Sequence, residues 1–99
     1  MNMNQNHEDE DLQGFDFSNA NLENANFRSA NLEGANFQGA IVKNANFENA
    51  IFIDANIKGA NFENANLEGA ILTHVNGDRV NFNRANLTDT DFTGAFLHP

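Results

Sequence analysis

From Glu10 to Pro99 the chain repeats every five residues, with no insertion or deletion to disturb the phase. The third place of each block runs Leu12, Phe17, Leu22, Phe27, Leu32, Phe37, Val42, Phe47, Phe52, Ile57, Phe62, Leu67, Leu72, Gly77, Phe82, Leu87, Phe92, Leu97. Fifteen of these eighteen are Leu or Phe, which accounts for eight of the ten phenylalanines in a chain with no Tyr and no Trp. The first place is Ala in thirteen blocks, the second is Asn or Asp in fourteen, and the fifth holds six of the seven glycines. A repeat this regular governs the whole fold.

A period of five suits no helix. Successive large residues would sit about 140° apart and wind round the axis, leaving no apolar stripe. The abundant Asn and Gly are also poor helix formers. On a strand, side chains alternate in direction, so the Ala and the Leu or Phe two residues later point inward together while the Asn between them points out. The last two places make a corner, because Gly or Asn tolerates the positive φ that a type II turn requires at its third residue. Each block is then a three-residue strand and a corner. A strand so short buries its apolar side only by stacking on copies of itself. The inward Ala is required because a larger residue would overfill the interior.

With blocks such as Ala20-Asn21-Leu22-Glu23-Asn24 and Ala35-Asn36-Phe37-Gln38-Gly39, the chain resembles the pentapeptide-repeat family, whose repeat is A-(D/N)-(L/F)-x-x. The resemblance covers nearly the whole chain. It implies an all-β fold, a right-handed four-sided (quadrilateral) parallel β-helix with one block per side and twenty residues per coil. Residues 10–99 would give four and a half coils, a rod roughly 20 Å long. Some members of the family inhibit or protect gyrase, their acidic rods resembling a DNA duplex. The resemblance therefore also implies an alternative function, a DNA-mimicking ligand of a topoisomerase or another DNA-binding enzyme. Those rods have more coils than this chain, and it lacks the large loops that some of them carry.

Charge narrows the function classes. Fourteen acids against five bases give −9, which argues against direct contact with nucleic acid or an anionic membrane. There is no cysteine, so thiol chemistry is excluded. The first residues have neither a basic n-region nor an apolar core, and no stretch approaches the ~20 apolar residues of a membrane helix, so the expected location is cytoplasmic. The sequence holds no nucleophile–base pair, metal-ligand cluster or phosphate loop. The expectation is a non-enzymatic interaction module without a cofactor, a rigid acidic rod presenting side chains to a protein partner.

The departures from the repeat mark the places to watch. Residues 1–9 lack the period and are expected to form a flexible polar tail ahead of the β-helix at 10–99. Gly77 stands where a large core residue belongs, flanked by Val75 and Val80 in Ala places; the simplest reading is that the two valines fill the missing volume. The alternative is a binding spot made by His74, Asp78, Arg79 and Arg84. The histidines His7, His74 and His98 read as solvated. Phe15 is placed to plug the bottom of the core, and Phe96 to act as a lid or part of an interface.

With twenty residues per coil, outward positions fall into four columns. That of 11–14, 31–34, 51–54, 71–74 and 91–94 carries −4, its neighbour at 26–29, 46–49, 66–69 and 86–89 carries −2, and the other two balance. Stacked Glu23, Lys43 and Glu63 read as a ladder of alternating sign. Ile51, Ile53 and Ile71 point outward on the most acidic column, beside Glu33 and Asp54. An apolar spot on an acidic side is the expected partner contact. At the C-terminal end, Phe82, Leu87, Phe92, Phe96 and Leu97 lie in the last coil, and the expected outcome is a homodimer meeting end to end there.

Overall fold

The structure, a computed structural model, describes residues 5–99. Its register steps by twenty: Asp11 pairs with Asn31, Asn31 with Ile51, Ile51 with Ile71 and Ile71 with Asp91, all parallel. Four five-residue blocks therefore complete one coil, and the solenoid has four faces. Face 1 is the column of Asp11, face 2 that of Asp16, face 3 that of Asn21 and face 4 that of Asn26. Most strands contribute a single paired residue. Three in a row pair only in β1 (Asn76–Asp78) and β2 (Phe96–His98), which form a two-stranded parallel sheet. The body measures 31 × 25 × 22 Å, a short prism rather than a long rod.

The same backbone bonds recur from block to block below the last coil. The third-place amide donates to the second-place carbonyl one coil on, as from Phe47 to Asn66 O at 2.7 Å. The fifth-place amide donates to the fourth-place carbonyl of that coil, as from Asn49 to Glu68 O at 2.9 Å. A turn bond such as Ala50 N to Phe47 O, 3.0 Å, closes the corner. Every fifth place from Asp9 to Gly94 has φ between +57° and +71°, the value expected at the third residue of a type II turn. The left-handed conformation is thus imposed by the coil even on Arg79 and Arg84, whose side chains do not favour it.

The second-place Asn and Asp residues have a role that their outward direction did not reveal. The side-chain Oδ1 accepts the amide two residues on, as in Asn46 from Glu48 (3.0 Å), Asn61 from Glu63 (3.0 Å) and Asp16 from Ser18 (2.9 Å). This Asx turn occupies an amide that the coil leaves unpaired.

Inside, the Ala and Leu/Phe ladders are buried as expected, from Leu12 to Val75. Rings stack at the strand spacing: Phe27 over Phe47 at 5.0 Å and 7°, Phe17 over Phe37 at 5.0 Å and 24°.

Three expectations are corrected. The solenoid begins before Glu10: His7 and Asp9 donate to Asn26 O and Arg28 O, Asn6 pairs with Asn26, and Asp9 has the corner φ of 61°. Residues 5–9 are a further block, so nineteen blocks stack; residues 1–4 lie outside the described residues. The reason is that His7 takes the third place. It is not a solvated histidine, since its ring lies on Phe27 at 4.8 Å and 17° and its Nδ1 is 2.8 Å from Glu10 Oε1. Second, Phe15 packs 6.0 Å from Phe17 but stays half exposed, so it is a lip beside the core rather than a plug. Third, the space at Gly77 is filled chiefly from the coil above. A Cβ at Gly77 would meet Leu97 Cδ2 at 2.5 Å and Val80 Cγ1 at 3.5 Å. Leu97 is twenty residues away in sequence, which is why the neighbouring valines seemed sufficient.

Candidate interaction surface

Because residues 5–9 join the stack, Glu8 and Asp9 belong to face 4, under Arg28 and Ser29. Face 4 then holds Glu8, Asp9, Glu48, Glu68 and Asp89 against Arg28, and face 1 holds Asp11, Glu33, Asp54 and Asp91 with no base. Glu10 sits at the corner between them. These two adjacent faces carry the chain's whole net charge of −9, while faces 2 and 3 balance.

Local pairing leaves that field largely in place. Arg28 lies between Glu8 (3.2 Å) and Glu48 (3.4 Å), and exposed pairs of this kind contribute little. The expected ladder on face 3 does not form: Lys43 comes within 4.0 Å of neither Glu23 nor Glu63, and Glu63 instead meets Arg84 at 3.9 Å. Asp91 is held below the usual carboxylate range, first by the Thr93 hydroxyl (2.7 Å) and amide (2.9 Å), then by the charge of His74. Asp16 is lowered likewise by Ser18. Both therefore stay ionised at neutral pH.

Ile51 and Ile71 are paired neighbours on face 1, and Ile53 lies beside them; all three are partly buried. Glu33 and Asp54 are exposed on the same face. An isoleucine in the second place supplies no Oδ1. The amides of Ile53 and Thr73 consequently lack the Asx-turn acceptor that Glu33 receives from Asn31 (3.1 Å) and Thr93 from Asp91 (2.9 Å). The acceptor is also missing at two places on the balanced side, Ile41 on face 3 and Phe96 on face 2, but at neither is the residue paired above or below apolar. Two consecutive coils of face 1 thus give up a turn bond in exchange for apolar surface among carboxylates.

The groups considered around Gly77 do not converge. His74 packs on Gly94, Asp78 faces His98 Nδ1 at 3.6 Å, and Arg84 turns to Glu63. Among the described residues no group of His, Asp and Glu could hold a metal ion. No helix in the described residues is long and apolar enough to cross a membrane. At the C-terminal end Phe82 and Phe92 are half-buried, Leu87 and Leu97 are 37% and 47% exposed, and Phe96 projects outward beside His98.

Comparison with known proteins agrees with this architecture. The family model for pentapeptide repeats matches in eight copies, over residues 11–44, 30–69 and 60–98. A pentapeptide repeat protein of the Arabidopsis thaliana thylakoid lumen superposes with a TM-score of 0.87 at 32% identity, over 90% of this chain and 62% of that one. HetL of Nostoc sp. strain PCC 7120, a pentapeptide repeat protein involved in heterocyst differentiation regulation, gives 0.86 at 34% identity, over 88% and 40%. Rfr23 of Cyanothece 51142 gives 0.63 at 36% identity, over 88% and 56%. The chain thus spans less than two thirds of each of these solved structures. No curated protein matches. On its repeat, its right-handed four-sided coil and these likenesses, the chain belongs to the pentapeptide-repeat family.

Proposed function

We propose that the chain is a non-catalytic binding module that engages a basic protein surface through faces 1 and 4, with Ile51, Ile53 and Ile71 at the centre of contact and Glu33 and Asp54 beside them. The observation that carries this reading is the double loss of the turn acceptor. A side-chain-to-amide bond contributes about 0.5–1.5 kcal/mol, and the pairing of two partly buried isoleucines returns less, about 0.2–1 kcal/mol. Local rules broken without an equal structural return mark function. Apolar side chains surrounded by like charge fit a partner whose bases ring an apolar contact.

The test is capture on immobilised protein. A partner retained by the parent is lost with Ile51→Lys plus Ile71→Lys at unchanged melting temperature, and is kept with Lys43→Ala plus Arg84→Ala. The opposite pattern moves the contact to the balanced faces.

The charge distribution favours a second, narrower reading, a partner that ordinarily holds DNA. From Asn6 to Asn86 the stack rises four coils, about 19 Å. A duplex of that length carries about eleven phosphate charges, and one side of this prism carries a net nine. A gyrase supercoiling assay tests this version. Inhibition by the parent that weakens with Glu33→Gln and Glu68→Gln supports it, and supercoiling unaffected by excess protein removes it.

A further inference from the structure

Face 1 offers main-chain donors as well as isoleucines. From Glu8 to Thr93 the fourth-place amides donate to a second-place Oδ1 at 2.8–3.3 Å, except at Lys43, Ile53 and Thr73. Lys43 stands alone on face 3, whereas Ile53 and Thr73 are neighbours in one column, a single coil or about 4.8 Å apart. Elsewhere the acceptor is an outward side chain, so both N–H groups are turned to the surface. The Thr73 hydroxyl is a third donor in the group. Those of Thr88 and Thr93 donate to Asn86 and Asp91 Oδ1, both at 2.7 Å, but the residue in the same relation to Thr73 is Ile71. The main chain of this face accepts nothing in return. The carbonyls of Ile51, Ile53, Ile71 and Thr73 already receive the amides of Leu32, Gly34, Phe52 and Asp54, at 2.7–3.0 Å.

We propose that these donors receive the C-terminal turn of an α-helix of the partner, one that ends on an apolar residue and bases. This rests on the reading of face 1 as the contact surface and names what that surface contacts. A main-chain donor without a protein acceptor is satisfied from outside. Glu33 and Asp54 repel an anion there, so the incoming oxygens are neutral. A strand edge alternates C=O with N–H, and its N–H groups would find no main-chain acceptor on face 1. The last turn of a helix presents carbonyls alone, about four of them unpaired. Lys and Arg are favoured in that turn, where they meet Glu33 and Asp54. The apolar residue that closes such a turn lies on Ile51 and Ile71.

The donors can be removed without touching the isoleucines. The fourth place is the second residue of a type II turn, with His74 holding the positive φ of 60° behind it. Proline is favoured at that second residue, so Thr73→Pro deletes the N–H and the hydroxyl while keeping the corner. Lys43→Pro makes the same change on face 3. Both variants are expected to melt no lower than the parent.

The probe is an amidated, alanine-rich synthetic helix of about twenty residues with Leu and Lys in its last turn. Its control carries the same Leu and Lys in the first turn. Titration into isotope-labelled protein is followed by amide NMR. The probe is expected to shift the amide protons of Ile53 and Thr73 in the parent. It is expected to bind Thr73→Pro about fivefold more weakly and Lys43→Pro as it binds the parent. Probe binding that leaves those amide protons unmoved, or that Thr73→Pro does not weaken, overturns the role of the donors. Equal binding of probe and control, lost with Ile51→Lys plus Ile71→Lys, overturns the helix end and leaves face 1 as the contact surface. Binding that survives Ile51→Lys plus Ile71→Lys overturns both. Binding of neither peptide at millimolar concentration overturns the inference, and the capture experiment then decides on face 1 itself.

Discussion

The acidic side of the prism, faces 1 and 4, and the balanced side, faces 2 and 3, share one backbone and one core. Phe47 of face 4 and Phe62 of face 3 are equally enclosed, and the corners of both sides have the same φ. They differ only in what points outward: every acid on faces 2 and 3 is matched by a base, while ten acids face one Arg on the other side. Because the coil makes the same demands on all four faces, stability does not explain the difference. In a repeat protein the core is specified by what recurs, and the surface is free to record what is selected for another purpose.

The largest effects should be blind to the side chosen. Phe47→Ala and Phe62→Ala are each expected to cost about 3–5 kcal/mol in urea unfolding; a marked inequality would break the claim of a common core. Ala45→Leu adds bulk to a closed interior and should cost about 1–3 kcal/mol. If it melts like the parent, the inward placement of the alanines is wrong.

Smaller effects separate the corners from the faces. Arg84 on the balanced side holds φ at 61°. Relief of left-handed strain, about 1–2 kcal/mol, less the added chain entropy of glycine, about 0.5–1 kcal/mol, makes Arg84→Gly stabilising by up to about 1.5 kcal/mol in the same assay.

The smallest effect is acidic. Asp91 is depressed in the folded state, so its contribution is complete above its unfolded pKa of about 3.8 and is lost as pH falls through the lower folded value. Stability of the parent relative to Asp91→Asn should therefore be constant from pH 7 to pH 5 and decline only below pH 4.

Much of this was legible in the sequence because a repeat states each requirement many times. Thirteen first-place alanines declare a narrow interior, and glycines confined to the fifth place declare the corner. What escaped lay outside the repeat's own terms. His7 breaks the Leu/Phe rule, so residues 5–9 read as tail, although an imidazole stacks on Phe27 much as a phenyl ring would. Leu97 fills the space at Gly77 across a coil boundary, a relation carried by the register rather than by neighbours. The Asx turns had a signal in the sequence, the persistence of Asn and Asp two residues before a free amide, but an outward polar residue reads equally well as solvated. That missed role turned out to matter most for the candidate surface, because it identifies Ile51 and Ile71 as departures with a cost.

The most direct test of the working surface is therefore to restore the rule there. Ile51→Asn with Ile71→Asn returns the Oδ1 acceptors to the amides of Ile53 and Thr73 without changing the charge. Each regained bond contributes about 0.5–1.5 kcal/mol, offset by about 0.2–1 kcal/mol for the lost cross-coil pair. The account predicts a double variant at least as stable as the parent, by thermal melting, that no longer captures the partner. A variant that binds its partner as the parent does would contradict the assignment of face 1 as the site of contact.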